Sequence, residues 1–99
     1  MDTEPWTLLG LHAAARFNVE ADCSAGLISR LIEPFAKRDI TPDAVNALRG
    51  GETMRVEIVL RRMPAEAVHV VLGNLRQIVG VRAVAMQQEV TGCVQRRAA

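Results

Sequence analysis

Two segments with the apolar spacing of a helix alternate along this chain with four segments that have the character of a strand. The first helical segment spans residues 24–38, and the second begins at Pro64 and stops at Gly80. Pro34 predicts a kink or an early end in the first helix, because its ring crowds the preceding turn. The apolar residues at helical spacing are Leu27, Ile28, Leu31, Ile32 and Phe35 in the first segment and Val68, Val71, Leu72, Leu75 and Val79 in the second.

The four strand-like segments differ in how clearly they alternate. Residues 53–61 alternate apolar and polar side chains without interruption, which is typical of a strand with one buried face. Pro42 cannot donate to a ladder of hydrogen bonds, so the segment around it is predicted to be an edge strand or the entry to one. Gly50 and Gly51 predict a hairpin turn, since both accept a positive φ. The predicted strands are residues 6–15, 40–49, 53–61 and 81–90, with 16–23 as a polar, irregular connection.

This order of elements predicts an α+β, ferredoxin-like βαββαβ fold, in which two helices cover one face of a four-stranded antiparallel sheet. The second strand lies at an edge in that topology, where Pro42 is tolerated. At 99 residues the chain has the size of one domain. The predicted division is an N-terminal extension (1–5), the domain (6–90) and a C-terminal tail (91–99). The predicted core is Leu27, Leu31, Phe35, Val56, Ile58, Leu72 and Leu75.

Charge and cysteine content argue against several classes of function. A formal net charge of +1 gives little attraction to nucleic acid or to an anionic membrane. Segments of the ~20 apolar residues that span a membrane are absent from the sequence. Cys23 and Cys93 are too few for a structural zinc site and are predicted to be reduced thiols. Because the acidic start lacks the basic region of a signal peptide, a cytoplasmic location is expected.

Groups suited to catalysis are few. His12 and His69 are the only histidines, and no acidic or nucleophilic partner is suggested by spacing, so both are interpreted as packed or surface side chains. Glycine-rich phosphate-binding motifs are absent from the sequence. One Trp, two Phe and no Tyr are too few aromatic residues for an RNA-binding sheet. We therefore expect no catalytic residue, no metal site and no cofactor bound by this chain.

The start of the first helix is the segment best suited to bind a ligand. Gly26 lets the backbone approach a ligand closely, and the unpaired amides of a first helical turn favour a carboxylate. The alternative is that Gly26 only permits close packing of the helix on the sheet. Both interpretations stay open on these residues alone.

The sequence around this glycine resembles the ACT domain. AGLISRL at residues 25–31, FAKRDI at 35–40 and ARFN at 15–18 most resemble the short small, or regulatory, subunit of acetolactate synthase. The order of elements agrees from about residue 6 to about residue 88, while the helix-start motif is the specific part. The resemblance implies a regulatory module in branched-chain amino acid biosynthesis that is not an enzyme.

The resemblance also implies how such a module is assembled. Two copies form a homodimer side by side through the second strand and the first helix, and an amino acid binds at their junction. The partner is a catalytic subunit that itself holds thiamine diphosphate. The implied ligand-binding residues are Asp22 or Ser24 for the ammonium group, the amides of Ala25, Gly26 and Leu27 for the α-carboxylate, and Thr41 from the facing strand of the second copy.

An exposed strand edge invites pairing with a second strand. The predicted interface residues on this edge are Asp43, Ala44, Val45 and Ala47. Cys23 and Thr41 stand where valine-responsive members carry asparagine, whose carboxamide both donates and accepts hydrogen bonds. The identity of the effector is therefore left open.

Two further functions are alternatives to this subunit. One is a free-standing ACT module that acts mainly in dimerisation or with another partner enzyme, since a fold does not fix a function. The other is an acylphosphatase-like hydrolase, which has a similar length and strand order. That enzyme needs an arginine in a glycine-rich loop and a supporting asparagine; Arg16 and Asn46 are the only nearby candidates, and the loop is missing.

Overall fold

The computed structural model describes residues 11–91 and has the predicted order of elements. Its strands form an antiparallel sheet in the order β2-β3-β1-β4, with two helices. The ferredoxin-like βαββαβ fold of the α+β class is therefore confirmed. The elements are β1 (His12–Asp22), α1 (Leu27–Ala36), β2 (Ala44–Gly50), β3 (Thr53–Pro64), α2 (Val68–Arg76) and β4 (Val81–Thr91), with a 3-10 turn over Ala65–Ala67 before α2.

The first strand lies later in the chain than predicted. β1 continues through residues 16–22, so the interpretation of 16–23 as an irregular connection is wrong. Phe17, Val19 and Ala21 face the core, while the side chains between them are exposed. The polar residues between the apolar ones conceal this alternation in the sequence. Residues 6–10 of the predicted strand, the predicted extension at 1–5, Cys93 and the rest of the tail at 92–99 lie outside the described residues.

α1 is shorter than predicted at both ends. It begins at Leu27, with Gly26 as the residue that precedes its first turn, and it ends at Ala36. Pro34 lies inside the helix, two residues before its end. The helix thus ends before residue 38, as the proline predicts.

Two side chains predicted to lie on the buried helix faces are exposed instead. Val79 is 83% exposed and Ile28 is 40% exposed. α2 ends at Arg76, so helical spacing no longer determines where Val79 points. Ile28 lies at the margin of the buried face of α1, which is formed by Leu27 and Leu31 together with the residues one turn later.

The core lies between the helices and one face of the sheet. All seven residues that the sequence predicts for the core are buried. The position of β1 adds a row of apolar side chains to it, and the end of β3 adds one more. These further buried residues are Ala13, Ala15, Phe17, Val19, Ala21 and Met63.

β2 is an edge strand, as predicted, and it begins at Ala44, two residues after Pro42. Gly50 and Thr53 are paired and leave a two-residue hairpin loop, in which Gly51 has a φ of 71°. The predicted hairpin is therefore confirmed. Every residue of β2 is exposed, so neither of its faces is covered by another described element. In residues 11–91, no helix is long and apolar enough to cross a membrane.

Candidate ligand and pairing site

Of the three amides predicted to bind a carboxylate at the start of α1, two donate to no backbone oxygen among residues 11–91. Gly26 precedes the helix with φ −94° and ψ 5°, and no side chain caps this end. The Leu27 amide donates to the carbonyl oxygen of Ser24 at 3.2 Å, so it is already engaged. Within residues 11–91, the amides of Ala25 and Gly26 donate to no backbone oxygen. Two of the three predicted carboxylate donors are thus available.

A cation that the sequence analysis missed lies beside these amides. The Arg30 side chain folds back one turn, so that a Cβ placed on Gly26 would lie 3.4 Å from Nη2 of Arg30. The partial positive charge of a helix N-terminus and a guanidinium therefore act on the same space, and both attract an anion. The signal available in the sequence is the spacing of four residues between the glycine and the arginine.

The two residues predicted to bind an ammonium group differ in whether they already have a hydrogen-bond partner. The Asp22 carboxylate accepts a hydrogen bond from Nε of Arg82, with Oδ1 2.6 Å away, and both side chains are about half exposed. Ser24 is exposed, and its side chain has no hydrogen-bond partner among residues 11–91. The Asp22 carboxylate would therefore bind a ligand while it remains paired with Arg82. The Ser24 hydroxyl has no such partner among the described residues.

The loop that leads into α1 is held by two neighbouring turns. The Cys23 amide donates to the carbonyl oxygen of Glu52 at 2.9 Å, and the Asp22 amide donates to that of Gly80 at 2.8 Å. Glu52 belongs to the β2-β3 hairpin loop. The start of α1 therefore lies at the same end of the sheet as the last residue of β2.

Thr41 lies at the other end of the same subunit. It is exposed and precedes β2, whereas the α1 start lies near the end of β2. The ten residues of α1 span about 15 Å between these two ends. Thr41 of one chain is thus separated from the Gly26 region of that chain.

The outer edge of β2 presents unpaired backbone groups. Gly50 and Thr53 close the hairpin, and hydrogen-bonded and non-hydrogen-bonded pairs alternate from there along an antiparallel ladder. By that alternation, the N–H and C=O groups of Val45, Ala47 and Arg49 point away from β3. The edge therefore offers three residues for pairing with another strand.

The predicted interface residues have distinct environments on this edge. Val45 and Ala47 are paired with the buried residues Ile58 and Val56, so they lie on the helix side of the sheet. Ala44 lies on the opposite face. The Asp43 carboxylate accepts a hydrogen bond from the Arg61 amide at 2.6 Å, which fixes the start of β2 to β3.

The edge strand β2 and the helix α1 each carry apolar side chains that are not fully buried. Val45 is 39% exposed and Ile28 is 40% exposed. Ile32 is half-buried on the same helix as Ile28. The edge strand and the first helix thus both have apolar side chains that remain partly accessible to solvent.

Of the groups considered for catalysis, Arg16 and Asn46 lie together, whereas the two histidines lie elsewhere. Arg16 and Asn46 both contact the Glu57 carboxylate, at 3.2 and 3.1 Å, on the exposed sheet face. The His12 ring lies 3.5 Å from the Arg62 guanidinium, and His69 is exposed on α2. In the described part of the chain, no group of three or more His, Cys, Asp or Glu side chains is arranged to hold a metal ion.

A family model for the ACT-like domain matches residues 10–93. The chain belongs to the ACT-like domain family. The match covers all the described elements of this ACT-like domain, so the family does not rest on the helix-start motif alone. No curated protein matches the chain.

Solved structures similar to this ACT-like domain share its fold at low sequence identity. The ACT domain of GTP pyrophosphokinase from Chlorobium tepidum is 12% identical, with a TM-score of 0.64 over 77% of this chain and 86% of that one. Homoserine dehydrogenase from Thiobacillus denitrificans is 13% identical, with a TM-score of 0.69 over 82% of this chain and 18% of that one. The regulatory subunit of aspartate kinase from Thermus thermophilus is 12% identical, with a TM-score of 0.59 over 84% and 61%.

Proposed function

We propose that this ACT-like domain is a non-catalytic regulatory module that pairs with a second copy through β2 and binds an amino acid beside the start of α1. The observation that carries the proposal is the convergence of the free Ala25 and Gly26 amides with the Arg30 side chain. Backbone N–H groups at a helix start, together with a guanidinium, form a site for a carboxylate. The hydroxyl of Ser24 and the shared carboxylate of Asp22 are the candidate partners of the ammonium group.

Pairing through β2 supplies the residue that one chain lacks. If two β2 strands pair antiparallel about a two-fold axis, the start of each strand lies beside the end of the other. The end of β2 is at the α1 start, because Cys23 is hydrogen-bonded to the hairpin. Thr41 of the second copy is then directed towards the Gly26 region, while Val45 and Ile28 are covered at the junction.

The proposed partner enzyme is the thiamine diphosphate-dependent catalytic subunit of acetolactate synthase. The resemblance of residues 25–31 and 35–40 to the small subunit of that enzyme supports this choice. The second candidate is a free-standing ACT module, in which pairing is the main property. Purification of the tagged chain from its native cells tests the two: recovery of the catalytic subunit supports the first, and recovery of the chain alone supports the second.

A pair of variants at Gly26 tests the ligand site. Gly26→Asp places a negative charge where the carboxylate binds, whereas Gly26→Ser is neutral and of similar size. Both residues cap helices well, and Gly26 has a negative φ, so neither variant is expected to lower the melting temperature. We expect the wild type and Gly26→Ser to be stabilised by a branched-chain amino acid in a thermal-shift assay, and Gly26→Asp to give no shift.

The choice of ligands in this assay distinguishes recognition of the carboxylate from recognition of the amino acid side chain. Valine, leucine and isoleucine are compared with valinamide, which lacks the carboxylate and is expected to give no shift. If no amino acid stabilises the wild type, or if Gly26→Asp responds as the wild type does, amino acid binding at this site is wrong.

A further inference from the structure

The sheet face opposite the helices carries a row of four side chains that is complementary to itself. Strand pairing places Leu48 beside Arg55, Arg55 beside Glu20, and Glu20 beside Ala83, one residue from each strand. All four are exposed, and Leu48 is 72% exposed. The row thus reads apolar, positive, negative, apolar across the sheet from β2 to β4.

The two ends of this row differ in shape. Leu48 projects from β2, whereas Ala83 and Ala85 are small and exposed on β4. Leu48 lies about 14 Å from Ala83, because three strand spacings of about 4.8 Å separate them. A shallow depression of about 500 Å³ lies on the face between these residues. Leu48 therefore stands above the face at one end of the row, and the side chains at the other end are small.

We propose that two copies of this chain pack with these faces together, about a two-fold axis parallel to the strands and between β3 and β1. This axis places β2 over β4 and β3 over β1 of the second copy. Leu48 then lies over Ala83 of the second copy, and Arg55 lies over Glu20 of the second copy. Each contact occurs twice, as a two-fold interface requires.

The neighbouring rows are compatible with the same axis. In the row Asn46, Glu57, Asn18 and Ala85, the Glu57 carboxylate faces the Asn18 amide of the second copy, which can donate to it. In this row and in the Leu48 row, no charged side chain of one copy lies over a side chain of the same charge in the other copy. A perpendicular two-fold axis through the Glu57 row would instead place Glu57 over Glu57, which is repulsive.

The sheet spacing suits these contacts. Packed sheets lie about 10 Å apart, with side chains of the two inner faces interdigitated. A leucine over an alanine keeps this spacing, and arginine and glutamate are long enough to meet across it. Since the second copy offers a small side chain opposite Leu48 and opposite charges for Arg55 and Glu20, a copy of this chain fits the face.

This interface is separate from the proposed pairing through β2. Edge pairing uses the backbone of β2 and leaves the face open, so the two together give four chains. Ala47→Pro removes an outward N–H of β2 and is expected to prevent edge pairing alone. The face is therefore tested in the Ala47→Pro chain, where edge pairing does not contribute.

Charge reversal tests the interface by sedimentation equilibrium. Glu20→Arg and Arg55→Glu each place like charges over one another, and each is expected to weaken self-association by about tenfold. Mixing the two variants restores both Arg–Glu contacts between unlike chains, while the repulsion within each chain remains. We expect the mixture to form a heterodimer; if it sediments as the sum of its separate components, the proposal is wrong.

A second pair of variants tests the same interface if a charge-reversed chain does not fold. Leu48→Ser is expected to weaken self-association about a hundredfold, because two leucines lose their burial. Val79→Ser is the control, since Val79 is 83% exposed and lies outside this face. Equal association constants for the two variants would refute the face interface.

A comparison of Ala47→Pro with Leu48→Ser distinguishes the two interfaces. If Ala47→Pro alone leaves the assembly unchanged while Leu48→Ser alters it, edge pairing is wrong and the face interface is supported.

Discussion

The ring of Phe17 on β1 meets the ring of Phe35 on α1 edge to face, with centroids 5.6 Å apart and planes at 72°. Both side chains are fully buried. This contact joins the last turn of α1 to the middle of a central strand, and such aromatic pairs contribute beyond the area they bury. The position of α1, and with it the position of the candidate ligand site at its start, depends on this contact.

Phe35→Ala is expected to lower the free energy of unfolding by about 3–5 kcal/mol, because it removes a large buried ring and leaves a cavity. The measurement is urea denaturation followed by circular dichroism. Ile28→Ala is the control on the same helix, since Ile28 is 40% exposed, and it should cost much less. Equal costs for the two variants would contradict the described packing of α1.

Proline is expected to have different effects at neighbouring positions of β2, because their N–H groups point in opposite directions. The N–H of Ala47 points outward, so Ala47→Pro should keep the β2-β3 ladder and the unfolding free energy while it abolishes edge pairing. The N–H of Leu48 points towards β3, so Leu48→Pro removes a ladder hydrogen bond and should destabilise the fold. Light scattering gives the mass and thermal unfolding gives the stability. Loss of stability in Ala47→Pro would contradict the assigned register.

The fold was predictable because helical spacing, the Gly50-Gly51 hairpin and Pro42 all agree on one order of elements. The position of β1 was not, because Arg16, Asn18 and Glu20 obscure an alternation that becomes evident only with Phe17 and Val19 on one face. The continuous apolar run at residues 6–15 has a stronger strand signal in the sequence than this alternating segment. β1 is a central strand that is buried on one face only, so its pattern alternates and is not continuously apolar.

The candidate site was predicted only in part, because it depends on local turn geometry and on contacts that residue spacing does not show. Gly26 marks the helix start in the sequence, but whether an amide is free depends on the exact turn. Leu27 donates to Ser24 in a turn that the sequence does not specify. The Arg30 side chain lies beside the backbone of Gly26 along the helix, and Asp22 and Arg82 form a side-chain ion pair across the sheet end. Spacing does not reveal the second of these, since the residues lie on different strands.

The start of β2 depends on a side chain that the sequence analysis assigned to the interface. The Asp43 carboxylate accepts the hydrogen bond of the Arg61 amide at 2.6 Å, a bond strengthened by its charge. Asp43→Ala should therefore cost about 1–2 kcal/mol of unfolding free energy and increase hydrogen exchange at Arg61. Asp43→Asn keeps an acceptor and should cost less. Unchanged exchange at Arg61 in Asp43→Ala would contradict this role.

The ion pair between Asp22 and Arg82 connects the end of β1 to β4 beside the candidate ligand site. Oδ1 of Asp22 lies 2.6 Å from Nε of Arg82, and the side chains are 53% and 58% exposed. An exposed pair of this kind contributes about 1 kcal/mol or less to stability. Its main consequence for function is that Arg82 competes with a ligand ammonium group for the same carboxylate.

Removal of that competitor should strengthen the proposed amino acid binding. Arg82→Ala frees the Asp22 carboxylate, so we expect the dissociation constant to fall by about three- to tenfold, a change that corresponds to the small energy of an exposed ion pair. Asp22→Asn removes the charge that the ammonium group uses and should weaken binding, although it breaks the same pair. Isothermal titration calorimetry compares the two variants with the wild type. If both variants change affinity in the same direction, Asp22 acts through the structure of the loop and does not contact the ligand.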